Sequence, residues 1–538
     1  MKRVQITDRR AFLAASMAAG TSALLPSMSR AESAPIAQTH AGRVRGSVRD
    51  GVNIFLGVPY GADTSGKNRW LPPRPAPAWS GVREATAYGP APPQVNPMAA
   101  PMQEETDLLQ KGPFGEDCLR LNVYTPAVGK SSGKRAVMVW FHGGGFSAGS
   151  GNAASYDGVN LARKQDVVLV CVTHRLNHFG FLYLGEAFGA DYADSGNVGM
   201  LDIIAALKWV RQNIGQFGGD PNRVLVFGQS GGGSKVSTLM GMPAAKGLFH
   251  RAAAQSGVAV RSGTKARAAA SARRLLEALN VKTLAELQRL PWQKIIEVGG
   301  PGFDAGPIVD GRNLPADVFD PSASPLSRDV PLITSTVETE SAAWGAPIDP
   351  ISDGELLSRV KQVTRLSDSD AQALISIYRT TYPGKDDTYL CQLLMSQWTF
   401  TDAVTTEAER KAAQAEQGGA PEYFFYFAHH TKVRGGKLHA PHTSEIPYCF
   451  DSLASSSPII GELTQEEQFL ADTVSAYWAN FAKTGDPNGQ GLPLWRPYDL
   501  KSRATLVVST DDKVACVDDP MGPTREAIAH YKANVSRA

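Results

Sequence analysis

The chain has 538 residues, 43% of them apolar and 20% charged, and its 54 Lys and Arg against 52 Asp and Glu leave a formal charge of +2. This balance excludes intrinsic disorder, and no Lys/Arg cluster offers the footprint of a nucleic-acid or anionic-membrane partner. After the N-terminal stretch no run of about 18 apolar residues suggests a membrane span, and the five scattered cysteines include no C-x-x-C pair that would point to metal or dithiol chemistry.

Residues 1–34 read as an export leader: a basic front with the pair Arg9-Arg10, a mildly apolar stretch from Ala11 to Leu25, then small residues. The pair followed by Ala-Phe-Leu resembles a twin-arginine signal, with cleavage after Ala31 or Ala34, so a periplasmic or secreted protein is expected. The leader holds no cysteine for a lipid anchor. Removing residues 1–31 takes away five basic residues and one acid, and the formal charge becomes −2.

Beyond the leader, short apolar runs alternate with helical patterns. Strands are expected at 136–141, 166–172, 223–227, 330–336 and 422–427, and a helix at 200–214 that Gly218-Gly219-Asp220-Pro221 brings to a stop. Continuous apolar strands alternating with helices predict a mostly parallel sheet covered on both faces, an α/β fold. Near the end, Thr464-Gln465-Glu466-Glu467 has the form of a capping box opening a helix that ends at Gly485 and Pro487. Its Phe469, Leu470, Val474, Tyr477, Trp478 and Phe481 are expected in the core.

Between strand and helix lies "FGQSGGGSK", residues 227–235, which comes close to two templates. A phosphate-binding loop needs lysine and then a hydroxyl after its last glycine, and here Ser234 precedes Lys235, so that reading fails. Gly228-Gln229-Ser230-Gly231-Gly232 fits G-x-S-x-G, a sharp turn that exposes a serine Oγ above a sheet. Upstream, "WFHGGGF" (140–146) follows a strand. Its consecutive glycines let backbone N–H groups converge on one point, as stabilisation of an oxyanion requires. A serine nucleophile then needs a histidine base, and of the ten histidines His442 in "HAPHTSEIPYCF" stands out. His439 offers a metal pair with it, but prolines at 441 and 447 spoil the helix such a pair needs and no further ligands cluster nearby.

The histidine segment, H-x-x-E-I-P-Y-x-F, resembles that of the type-B carboxylesterase family, which includes para-nitrobenzyl esterases and cholinesterases. "FLGVPYG" (55–61), "EDCLRLNVYTP" (116–126), "HRLNHFGFL" (174–182), "GNVGMLDIIAALKWVRQNIGQFGGDP" (196–221) and "YWANFAKTGDPN" (477–488) are similar to family blocks and follow in family order. The resemblance implies one α/β-hydrolase catalytic domain over 35–538, with a mostly parallel sheet, helices on both faces and long insertions forming a gorge. It implies a serine esterase working through an acyl-enzyme, with Ser230 as nucleophile and His442 as base. The acid comes from "PLITSTVETESAAW" (331–344), where Glu340 is placed ahead of Glu338. N–H groups of Gly144, Gly145 and Gly231 form the oxyanion hole.

The expected partner is a small-molecule ester, and no cofactor or metal is implied. Amide or carbamate hydrolysis on the same machinery stays open, as does a non-catalytic cholinesterase-like binding module, although such proteins typically lose the serine or histidine kept here. The sequence departs from the family at Gln229, where Glu is usual, at Arg120, and at Ser341, where Gly is usual. Cys118 matches a cysteine that forms a disulfide in relatives, but no partner cysteine falls at 87–94.

Overall fold

Short apolar runs set the frame. The computed structural model describes residues 34–94, 112–131, 133–300, 305–510 and 513–535; the leader expected at 1–34 lies, apart from Ala34, outside them. The strands of the main sheet are β1 (Ser47–Arg49), β2 (Val52–Pro59), β3 (Arg120–Thr125), β4 (Arg135–Phe141), β5 (Val168–Val172), β6 (Gly219–Gln229), β7 (Arg251–Gln255), β8 (Leu332–Val337), β9 (Glu422–Ala428), β10 (Ala504–Ser509) and β11 (Val514–Asp518). Their order is β11-β10-β9-β8-β7-β6-β4-β5-β3-β2-β1. From β5 across to β10 every pair is parallel, and the antiparallel pairs lie toward the two edges.

Alternation along the central strands explains why both faces are covered. Val137, Val139 and Phe141 of β4 join Val224 and Val226 of β6 on one face, packed against Met200, Ile203, Leu207 and Val210 of α1 (Val198–Asn213). The intervening Met138, Trp140, Leu225 and Phe227 point to the other face. There the C-terminal helix α5 (Gln465–Thr484) presents Leu470, Val474, Tyr477, Trp478 and Phe481, all fully buried. Each such side chain contributes about 1.5–3 kcal/mol by leaving water.

Two expectations for α5 need correction. Phe469 is 58% exposed, because the stripe that faces β4 and β6 begins one residue later, at Leu470. Thr464 does cap the helix, its hydroxyl accepting from the Glu467 N–H at 3.2 Å. The reciprocal half of the capping box is missing, since the Glu467 carboxylate turns inward to accept from His429 Nε2 at 3.0 Å and from the Tyr448 hydroxyl. Burial with two strong donors outweighs a solvent-exposed cap.

In parallel strands the carboxyl ends share one edge. Ser230 follows β6, Ser256 follows β7 and Glu340 lies three residues beyond β8, so the topology alone gathers these residues along one edge of the sheet, where α/β folds place their sites.

Candidate active site

Ser230 joins β6 to α2 (Gly231–Leu239) with φ 58° and ψ −126°, a backbone conformation that costs a non-glycine residue about 1–3 kcal/mol. The turn is held from both sides. The Ser230 N–H donates to Gln255 O at 2.7 Å, and its carbonyl accepts from Ser234 N at 3.1 Å. Glycines let the surrounding backbones close in: a Cβ on Gly232 would stand 2.0 Å from Phe141 O, and one on Gly257 2.0 Å from Ser230 O. The side chain remains half-buried and reachable.

The glycine loop after β4 runs directly over this turn. A Cβ on Gly143 would lie 3.4 Å from Ser230 Cβ, and one on Gly231 only 2.1 Å from Gly145 O. Gly144 and Gly145 take φ of 81° and 61°. Four successive carbonyls of the loop are tied back: His142 O and Gly145 O accept from the Lys235 ammonium at 2.9 and 2.8 Å, Gly143 O from His142 Nδ1 at 2.8 Å, and Gly144 O from the N–H groups of Ser147 and Ala148. A trans peptide sets its N–H opposite its carbonyl. Fixing Gly143 O and Gly144 O therefore directs the N–H groups of Gly144 and Gly145 away from the loop's own acceptors.

Two strands away along the sheet, β8 ends at Val337 and Glu340 opens a short turn. Its Oε1 accepts from Thr336 Oγ1 at 2.8 Å and from the Val337 N–H at 2.9 Å, which leaves Oε2 to accept from His442 Nδ1. Both side chains are fully buried. Their segments are laced together by Thr339 N to Ala440 O at 3.0 Å and Thr339 Oγ1 to Leu438 O at 2.7 Å. Thr443, directly after the histidine, is held at φ 77°. The other candidate acid, Glu338, lies elsewhere: its carboxylate takes His430 Nε2 at 2.6 Å and the Tyr389 hydroxyl at 2.9 Å. His439 also turns away from His442, toward Gln392 Oε1 at 2.8 Å, and no metal-binding cluster of His, Cys, Asp or Glu occurs among the described residues.

The carboxylesterase family profile matches residues 33–526 of this sequence. The chain belongs to that family. The para-nitrobenzyl esterase of Bacillus subtilis is 32% identical, over 92% of this chain and 98% of that protein. Among solved structures, a carboxylesterase of Geobacillus stearothermophilus superposes with a TM-score of 0.77 at 33% identity, covering 91% of this chain and 99% of its own. An esterase from Clostridium hathewayi that can hydrolyse aliphatic aromatic polyesters gives 0.79 at 30% identity, over 93% and 99%. The fold is thus the α/β-hydrolase fold, and the protein is a type-B carboxylesterase, a hydrolase of carboxylic esters.

Several side chains complete this carboxylesterase's site, and of them Phe400 gave no sequence signal, while Trp344 and Glu445 lay within quoted motifs without an assigned role. Between α3 (Asp387–Ser396) and α4 (Asp402–Glu416) the helix loosens into one π turn, Gln397–Thr401. That turn brings the Phe400 ring to 5.2 Å from the His442 ring, while Trp344, 37% exposed, stands 4.3 Å from it on another side. Only the sequence distance of Phe400 from the site hid it. Glu445, three residues after the histidine, is fully buried. Burial and the nearby Glu340 push its carboxyl up to about 7, partly offset by His442. Its Oε1 accepts from Gln255 Nε2 at 3.4 Å, so Gln255 joins the serine turn, through its backbone, to the histidine segment, through its side chain. Cys118 is a free, buried thiol, consistent with the absent partner.

Proposed function

We propose that this carboxylesterase works through an acyl-enzyme, with Ser230 as nucleophile, His442 as general base and Glu340 as the orienting acid. The observation that carries the reading is the fully buried Glu340–His442 hydrogen bond, at the same sheet edge as a serine held at positive φ. His442 Nδ1–H is committed to the carboxylate, which leaves Nε2 as the basic nitrogen. Nε2 accepts the Ser230 hydroxyl proton as Oγ attacks the ester carbonyl carbon, and the carbonyl oxygen becomes an oxyanion. The N–H groups of Gly144, Gly145 and Gly231 receive it. The tetrahedral intermediate collapses, the C–O bond to the alcohol breaks, and the alkoxide takes the proton from His442. Water then repeats the sequence on the acyl-serine and releases the carboxylic acid.

The surroundings favour this chemistry. Glu340 is fixed by two donors on Oε1 before any charge develops on His442, so the imidazolium meets a preorganised and fully buried partner. Trp344 and Phe400 place aromatic faces beside the histidine and suit an ester with an apolar acyl or alcohol group. No helix among the described residues is long and apolar enough to cross a membrane. The twin-arginine reading of residues 1–34 adds that the enzyme acts in the periplasm or outside the cell on small ester molecules that reach it there.

The test is turnover of a p-nitrophenyl ester by purified Ser230→Ala protein. The variant is expected to fold normally and to lose turnover by about 10⁴-fold or more, leaving only oxyanion-hole and binding effects. Near-wild-type activity in a protein with an unchanged melting profile rejects the covalent route.

A further inference from the structure

Lys235 is the residue that spoiled the phosphate-loop reading of "GQSGGGSK", and the mechanism above makes no use of it. Its side chain is fully buried, an expensive place for an ammonium group. Both of its hydrogen bonds go to carbonyls of the glycine loop, His142 O at 2.9 Å and Gly145 O at 2.8 Å, and its charge faces the Phe146 ring at 5.3 Å. We propose that Lys235 is a positioning residue for ester hydrolysis, a clamp that holds the oxyanion-binding N–H groups in register with Ser230. The inference rests on the assignment of Ser230 and the glycine N–H groups given above.

The geometry explains how one side chain can do this. Gly231 and Lys235 are four residues apart on α2 and so share a face. That face lies against the loop, since a Cβ on Gly231 would meet Gly145 O at 2.1 Å. The amine bridges the carbonyls of residues 142 and 145, and the two peptide units between those anchors are the ones that carry the Gly144 and Gly145 N–H groups. The third donor, the Gly231 N–H, belongs to the helix from which Lys235 projects. One side chain thus couples the nucleophile's helix to both loop donors, and three consecutive glycines, which would otherwise sample many conformations, are held at both ends.

Two imidazoles neighbour the amine, with the Arg175 guanidinium acting on the second of them, His174. The His142 and His174 rings stack with centroids 5.0 Å apart, and burial with the neighbouring Lys235 charge holds both well below their usual pKa, so neither competes as a cation. Burial also pushes the Lys235 amine down to about 7. Two acceptors match the two N–H bonds that even an uncharged amine keeps, so the clamp survives loss of the proton.

Lys235→Met keeps the length and removes the donors, and Lys235→Gln keeps a neutral donor. Three quantities are measured for each on the full-length enzyme: kcat and KM for a p-nitrophenyl ester, the inhibition constant of a trifluoromethyl ketone whose serine adduct carries an oxyanion, and the melting temperature. Lys235→Met is expected to lower kcat about 10- to 100-fold with KM within about threefold, and to weaken the ketone by a factor similar to the loss in kcat/KM. Lys235→Gln is expected to recover part of both losses, and it carries the test alone if the methionine variant does not fold. A lower melting temperature with kcat and ketone affinity within about twofold of wild type, while Ser230→Ala is inactive, overturns the clamp and leaves the catalytic assignment standing. An active Ser230→Ala protein overturns the assignment itself.

Discussion

Glu340 and Glu338 are two residues apart and both meet histidines, yet Glu340 is fully buried, Glu338 only partly so, and their partners separate them. Glu340 holds His442 through one oxygen while Thr336 and Val337 fix the other; Glu338 bridges His430 and Tyr389. Removing the acid that fixes a histidine's tautomer costs about 10⁴ in kcat in a well-studied triad of another protein. Glu340→Gln is therefore expected to be nearly inactive, and Glu338→Gln to lose less than about tenfold in kcat. Stopped kinetics on both variants, with thermal melts to exclude unfolding, distinguish the two; comparable losses in two well-folded proteins would contradict the assignment. The short spacing that left both acids open in the sequence is resolved by which strand-end segment each side chain meets, and that depends on residues about 100 positions away.

At the scale of elements, the contact between α2 and the loop after β4 sets the site. Gly232→Ala would drive a Cβ to 2.0 Å from Phe141 O, a backbone atom of β4 that cannot move without disturbing its ladder to β6. A loss of several kcal/mol in unfolding free energy, or failure to fold, is expected from urea titration. The π turn at Gln397–Thr401 invites a gentler test. Phe400→Ala should leave the fold intact and change KM more for esters with aromatic or branched acyl groups than for acetate, measured across a substrate panel. Equal effects on all esters would mean that Phe400 does not contact the acyl group.

These elements also show what a single sequence discloses. β4, β5, β6, α1 and the serine turn were legible because their signals are local: apolar runs, a glycine stop and a spaced motif. Phe469 was misplaced because helical periodicity identifies a stripe but not its edge, and Glu467 because a buried histidine and tyrosine claimed a side chain that local rules assign to the cap. Phe400 and Lys235 acquire their roles from neighbours distant in sequence, and no spacing encodes that; Glu445 stood in the histidine motif, but its bond to Gln255 did not.

For the whole molecule, pH links charge burial to stability. Glu407 on α4 is fully buried with its carboxyl pushed up to about 8 from the usual 4.5, chiefly by burial, against hydrogen bonds from Ser237 Oγ at 2.9 Å and from the Ala259 backbone. The folded state thus keeps a proton that the unfolded chain releases between 4.5 and about 8, so this group's contribution to stability falls as pH rises through that window and is level above it. Glu407→Gln preserves the acceptor and removes the titration. The difference in melting temperature, variant minus wild type, is expected to grow from pH 5 to pH 8 and then to hold; a difference independent of pH would contradict the assignment. The proposed twin-arginine reading of residues 1–34 makes its own prediction: replacing Arg9 and Arg10 by lysine in a bacterial host should leave unprocessed protein in the cytoplasm, and normal maturation of that double variant would count against the route.

All of these features serve one claim, that the ester's acyl group passes through Ser230. Labelling the purified enzyme with an organophosphonate and mapping the adduct by peptide mass spectrometry tests it most directly. One adduct per chain, on the peptide containing Ser230 and absent from Ser230→Ala, with activity lost in proportion to labelling, is the predicted result. Inactivation with the adduct on another residue, or full activity in a chain labelled at Ser230, would contradict the account.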